Sequence, residues 1–121
     1  CGNTLCNAIE TYSNGNRGIA PLLHGEAIAI GMILEAYISC EKGMLSKKSY
    51  LEIKETLNLM YDTIVFTEND IEICTSLLKH DKKNEKGIIQ FSLLKDLGEG
   101  VFNQEVESNL ITAAFYDYMS R

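Results

Sequence analysis

The triplet His24-Gly25-Glu26 brings together the residue types in this chain that are best suited to chemistry. It follows two leucines and precedes the apolar residues 27–34, which predicts a histidine and a carboxylate at the start of a buried helix. The unpaired N–H groups and the positive end of the helix dipole at such a start also favour anions. An imidazole nitrogen is a good zinc ligand. An isolated triplet of this kind also fits a purely structural role.

Asn3 and Asn7 form a second candidate pair. Their i,i+4 spacing predicts that both side chains lie on one face of a helix, the spacing by which two side chains can face one ligand. A carboxamide can hydrogen-bond, but it cannot act as a base near neutral pH, and its oxygen is a poor zinc ligand beside imidazole or thiolate. Two solvated asparagines on a helix surface are the alternative.

Lys82 and Lys83 are the third candidate, since they follow the predicted end of a helix. Ammonium groups can hold phosphate or carboxylate oxygens as point charges. A solvated turn, with Asp81 paired to a neighbouring lysine for little energy, is the alternative.

Composition excludes several classes of function. Seventeen acidic residues against eleven basic ones give a net charge of −6 without any basic block, which argues against nucleic acid as a partner. The longest apolar run is far short of the ~20 residues that span a bilayer, and no signal peptide is apparent. Four cysteines without a Cys-x-x-Cys spacing fit a reducing cytoplasm. We expect a single domain, residues 1–121, that is a piece of a longer protein.

The hydrophobic pattern places these candidates on a mainly helical scaffold. It predicts helices over residues 4–12, over residues 23–41 as a central helix buried on most sides, and after Ser46, with Gly43 as the preceding C-cap. The stripe of the third helix contains Tyr50, Ile53, Leu57 and Met60.

The remaining chain predicts a helix, a ribbon and a closing helix. Residues 67–70 resemble a capping box, with aspartate in place of the usual glutamate. Residues 88–94 and 101–102 are β-favourable around a turn, and residues 105–119 have helical periodicity. The predicted fold class is mainly α, a multi-helical domain with one small β-hairpin.

Three segments resemble 3-dehydroquinate synthase. Residues 21–32, which read Pro-Leu-Leu-His-Gly-Glu-Ala-Ile-Ala-Ile-Gly-Met, resemble a signature of that family. Residues 80–84, His-Asp-Lys-Lys-Asn, followed by the predicted ribbon, resemble a second block in the family's order. Residues 2–10 resemble the segment Gly-His-Thr-x-Gly-His-Ala-x-Glu, but asparagine replaces both histidines and Cys6 replaces a glycine.

The resemblance implies the C-terminal half of a two-domain enzyme that uses NAD and zinc. It assigns His24 as a zinc ligand, Asn3 to the position of another, Asn7 to the substrate region, and one lysine of Lys82 and Lys83 to the acidic groups of a sugar-phosphate substrate. NAD would belong mainly to an N-terminal α/β domain absent from this chain, so the isolated domain is expected to be inactive. A homodimer is a further expected partner.

Two alternatives remain open from the residues. The chain is also compatible with a non-catalytic helical module for oligomerisation or partner binding, which the two asparagines favour. It is equally compatible with another sugar-phosphate cyclase, because substrate choice depends on residues outside this segment.

Overall fold

The computed structural model describes Ile9 and residues 24–79, 89–94 and 100–120, with side chains at residues 9, 25–78 and 106–120. The elements in chain order are α1 (His24–Glu41), α2 (Lys47–Met60), α3 (Glu68–Lys79), β1 (Ile89–Leu94), β2 (Gly100–Val106) and α4 (Ser108–Met119). The predicted mainly helical class is confirmed. Of the predicted helix over residues 4–12, Ile9 is helical and fully buried, and the other residues lie outside the described part of the chain.

Helix α1 lies at the centre of the fold and packs against α2, α4 and β1. Its buried side chains surround most of its axis, as the sequence predicted, and Met32 is the one large apolar side chain of this helix that is exposed, at 36%. The core around it is built from aliphatic and aromatic side chains of every described helix and of the loop before α3, including Ile30, Ile33, Leu34, Ile38, Tyr50, Phe66, Ile71, Leu78, Ile111, Phe115 and Tyr118. None of the described helices is long and apolar enough to span a bilayer.

The junction between α1 and α2 forms as predicted. Gly43 has a φ of +76°, the left-handed conformation that glycine adopts at low cost. The Gly43 N–H donates to the Cys40 carbonyl and the Met44 N–H to the Ser39 carbonyl, the two bonds of a Schellman motif. The Ser46 hydroxyl then accepts from the Ser49 N–H at 3.2 Å and caps α2. The sequence prediction of both caps is confirmed.

The predicted capping box of α3 is also confirmed. The Asp70 carboxylate accepts from the Thr67 N–H at 2.8 Å, and the Thr67 hydroxyl accepts from the Asp70 N–H at 3.1 Å. Behind it, Ile71, Cys74 and Leu78 are buried.

The predicted stripe of α2 is wrong at its end. Tyr50 is buried and Ile53 and Leu57 pack against the core, but Met60 is 65% exposed. Lys54 is buried instead. Met60 is the last residue of the helix, and Tyr61 leaves it with an extended backbone.

Strands β1 and β2 pair antiparallel, from Ile89 opposite Val106 to Leu94 opposite Gly100. The register shifts between Phe91 and Leu93, where β2 carries one extra residue as a bulge. Strand β2 is longer than the predicted residues 101–102, and α4 begins at Ser108 rather than at residue 105. Pairing with β1 and burial of Val106 extend the strand over residues that helical periodicity alone had assigned to the helix. Of the turn predicted over residues 95–100, Gly100 is the first residue of β2, and residues 95–99 lie outside the described residues.

Candidate functional site

His24 is the first residue of α1, at the start of the most enclosed helix of the fold. Glu26 lies in its first turn, where a carboxylate is favoured by the helix dipole. Asn3, Asn7, Lys82 and Lys83 lie outside the described residues. Their approach to His24 therefore stays a prediction.

Tyr61 lies against the first turn of α1, a contact that the sequence did not indicate. A methyl group added at Gly25 would lie 3.0 Å from the Tyr61 hydroxyl oxygen and 3.6 Å from its Cζ atom. Real side chains essentially never pack a Cβ closer than about this distance. The glycine in the middle of the His-Gly-Glu triplet therefore makes room for the tyrosine hydroxyl group.

The loop that follows Tyr61 is attached to α4. The Ile64 N–H donates to the Tyr118 hydroxyl at 2.8 Å, and the Phe66 N–H donates to the Met119 sulfur at 3.2 Å. The Phe66 ring packs edge-on against Phe115, with centroids 5.1 Å apart. The end of the chain's last described helix thus holds the loop that borders the start of α1.

Glu35 is a buried carboxyl group about three turns further along α1. It is 8% exposed, and its Oε1 atom makes no hydrogen bond within the described part of the chain. Burial raises the pKa of Glu35 to about 8. The group is therefore mostly protonated and neutral at pH 7, and it can donate a hydrogen bond rather than carry charge.

A polar cluster between α2 and α4 was missed by the sequence analysis. The Lys54 ammonium donates to the backbone carbonyls of Asp117 at 2.6 Å and Ser120 at 2.7 Å, and lies 3.5 Å from the Asp117 carboxylate. The Tyr50 hydroxyl donates to the same carboxylate. Lys54 here binds carbonyl oxygens at the C-terminal end of α4, a favourable place for a cation.

Burial is the main cause of the pKa shifts of Lys54 and Asp117 in this cluster. Burial lowers the pKa of Lys54 and raises that of Asp117, where the nearby Glu41 adds to the rise and Lys47 opposes it. The cluster lines a groove of ≈ 700 Å³ bordered also by Leu51, Glu55, Asn58 and Leu59. The available sequence signal was the i,i+4 spacing of Tyr50 and Lys54, which places the lysine on the buried face of α2.

Cys74 is suited to packing rather than to reaction. Cys40 is partly buried and Cys74 is buried. Cys74 is fully buried, and burial, with a contribution from Asp70, raises its pKa to about 12. A thiol that stays protonated is a poor nucleophile and a poor metal ligand.

The described part of the chain contains no cluster of side chains that fits zinc. Catalytic zinc takes three protein ligands of the histidine, cysteine or carboxylate type. Within the described ranges no group of three such side chains could hold a metal ion. At the positions that the family resemblance assigns, this sequence offers the imidazole of His24 and the carboxamide of Asn3, a weak ligand for zinc.

Comparison with known proteins identifies the family. A family model described as "3-dehydroquinate synthase C-terminal" matches residues 1–84, which include all of α1, α2 and α3. The chain therefore belongs to the family of 3-dehydroquinate synthase C-terminal domains.

Individual relatives agree with this assignment. The chain is 34% identical over 110 residues to a 3-dehydroquinate synthase of Parabacteroides distasonis. The aligned region covers 91% of this chain and 31% of the relative. It is 34% identical over 111 residues to that of Psychrobacter cryohalolentis, with coverage of 92% and 29%. For the enzyme of Clostridium botulinum the identity is 39% over 101 residues, with coverage of 81% and 27%. The chain thus spans less than a third of the length of these curated relatives.

Proposed function

We propose that this chain is the substrate-binding C-terminal domain of a 3-dehydroquinate synthase in which the metal site has been weakened. The observation that carries the proposal is the position of His24-Gly25-Glu26, which opens the central buried helix in a chain of this family. In the whole protein a seven-carbon keto-acid sugar phosphate would be cyclised to 3-dehydroquinate with elimination of phosphate. NAD would be bound by the preceding part of the polypeptide, so the domain alone would be inactive.

Each candidate residue has a role that its chemistry permits. Lys82 and Lys83 would hold carboxylate and phosphate oxygens as point charges. Asn7 would hydrogen-bond the substrate without exchanging protons with it near neutral pH. His24 would contribute an imidazole at the start of α1, where N–H groups without intrahelical partners favour the anionic substrate.

The replacement of two histidines by Asn3 and Asn7 predicts a severe loss of activity. Loss of groups that merely support a metal ligand typically costs 10–100-fold in affinity or activity, so replacement of an imidazole ligand by a carboxamide should cost more. We expect Asn3→His combined with Asn7→His, in the protein at its full natural length, to raise both the affinity for zinc and the rate of phosphate release by more than about 100-fold. Phosphate release from the seven-carbon substrate with NAD and zinc is the measurement.

Asn109→His is the matched control, because Asn109 is an exposed asparagine in the first turn of α4, away from α1. It should leave zinc content and turnover as they were. Equal turnover with and without the restored histidines would contradict the weakened site and would mean that another group replaces the missing ligand.

A second candidate is a non-catalytic module for oligomerisation or partner binding. The observation that favours it is the same donor set, with one imidazole and one carboxamide where the family has two imidazoles. Absence of turnover in both proteins, together with a stable dimer that does not respond to NAD or zinc, would support this candidate. A different sugar-phosphate substrate, accepted with the histidines restored, would instead indicate another cyclase of the same family.

A further inference from the structure

Tyr61 joins three elements of the fold at the start of α1. Its backbone N–H donates to the Leu57 carbonyl at 3.0 Å and closes α2, and its own conformation is extended, with φ −136° and ψ 145°. Three residues later the chain is bonded to Tyr118 of α4 through the Ile64 N–H. The backbone of Tyr61 is therefore held from both sides, by α2 before it and by α4 after it.

The side chain of Tyr61 packs against the first turn of α1. Its hydroxyl oxygen, Cζ and Cε1 atoms would lie 3.0, 3.6 and 3.7 Å from a Cβ atom at residue 25. A side chain at position 25 would crowd the hydroxyl oxygen, whereas the two ring atoms would lie at ordinary van der Waals distance from its Cβ. Gly25 is flanked by His24 and Glu26, so this contact is made in the middle of the triplet on which the proposed function depends.

Contact at a first helical turn has a particular effect, because that turn is the least restrained part of a helix. Its N–H groups lack intrahelical partners, and helix ends fray when nothing else holds them. A rigid aromatic ring packed on the turn restricts that motion. The backbone of this turn is then restrained by the ring as well as by the helix.

We propose that Tyr61 is a positioning residue, which fixes the first turn of α1 and so orients His24 for the reaction. The inference depends on the proposed function only in assigning His24 to the site. The ring, rather than the hydroxyl group, carries this role. Tyr61 is not a catalytic residue, because it acts through the helix start.

The test compares Tyr61→Phe, Tyr61→Ala and Gly25→Ala in the protein at its full natural length, labelled with ¹⁵N-histidine. His24→Gln assigns the imidazole signals of His24 in a nitrogen–proton correlation spectrum, because the signals that disappear belong to this residue. Tyr61→Phe should leave the position and width of these signals unchanged. Its KM should stay within about twofold of that of the unchanged protein. Tyr61→Ala and Gly25→Ala should shift or broaden the His24 signals and lower kcat by roughly 10- to 100-fold, the cost of misplacing a reacting group by a fraction of an ångström to an ångström.

Tyr116→Ala is the matched control, since Tyr116 is a half-exposed tyrosine of α4 without a described contact to α1. Thermal unfolding of each variant shows that it is folded at the assay temperature. The proposal is overturned if Tyr61→Ala leaves the His24 signals unchanged, if Tyr116→Ala perturbs them equally, or if Tyr61→Phe is as damaging as Tyr61→Ala. The spectra separate this proposal from the proposed function: a protein without turnover whose His24 signals still respond to Tyr61→Ala refutes the function and supports the positioning role.

Discussion

Glu35 stands out among single residues because its environment opposes its charge. The carboxyl lies within the core-facing surface of the central helix, and its Oε1 atom has no hydrogen-bond partner among the described residues. Burying a carboxylate without a partner costs far more than burying the neutral acid, so the folded protein binds a proton there that the unfolded chain releases at lower pH.

Stability should therefore fall as the pH rises. The folded pKa of Glu35, about 8, lies above the ordinary value of 4.5, so its contribution is fully present below about pH 4.5 and is lost as the pH rises toward 8. Glu35→Gln keeps the shape of the neutral acid and removes the titration. We expect the variant to be more stable than the unchanged protein by a few kcal/mol at pH 8, and nearly equal to it at pH 4.5.

Urea unfolding of both proteins between pH 4.5 and pH 8 measures this difference. Glu52→Gln, on the exposed face of α2, is the control and should leave the pH profile unchanged. A Glu35→Gln profile parallel to that of the unchanged protein would show that Glu35 titrates in the folded state as it does in the unfolded chain.

At the scale of elements, the boundaries that depend on local chemistry were predictable. The capping residues act on backbone groups only a few residues away, so their residue types alone indicate where helices begin and end. They are Gly43, Ser46 and the pair Thr67 and Asp70.

Boundaries set by distant contacts were not predictable in this way. Residues 105–106 have helical periodicity with the segment that follows, but pairing with β1 makes them a strand. Lys54 is buried because the end of α4 meets it, and that meeting joins residues more than sixty positions apart in the chain. The same holds for the site: the His24 triplet is evident from its residue types, whereas Tyr61 reaches Gly25 only once α2 and α4 have packed.

The capping box of α3 allows a quantitative test. Thr67→Ala and Asp70→Ala each remove one of two reciprocal hydrogen bonds, so each should lower the free energy of unfolding by about 1 kcal/mol. The double variant should lose less than the sum, because either change alone already disrupts the shared geometry.

Chemical denaturation of the single and double variants measures this coupling. Ser76→Ala, at an exposed position of the same helix, is the control and should leave stability within about 0.5 kcal/mol. Strict additivity would mean that the two bonds form independently.

At the scale of the whole molecule, Lys54 connects the first half of the described chain to its last helix. Its ammonium group is desolvated and hydrogen-bonded to the carbonyls of Asp117 and Ser120. Lys54→Met keeps the aliphatic stem but leaves those carbonyls and the Asp117 carboxylate without their cation. We expect a loss of about 2 kcal/mol in the free energy of unfolding, measured by urea titration.

Lys48→Met is a suitable control, because Lys48 is exposed on the same helix. Its replacement should change stability by less than about 0.5 kcal/mol. If Lys54→Met proves as stable as the unchanged protein, the desolvation cost of the ammonium group offsets its hydrogen bonds, and the lysine serves orientation of α4 rather than stability.

The place of α4 in the core also affects how the protein folds during its synthesis. Helix α4 supplies Ile111, Ala114, Phe115 and Tyr118 to the surroundings of α1, yet it leaves the ribosome after every other described element. At about 5–20 residues per second, α1 waits on the order of several seconds for this partner. During that interval the nascent chain exposes its most apolar helix, which is the period in which a chaperone would bind it and a delay in synthesis would favour aggregation.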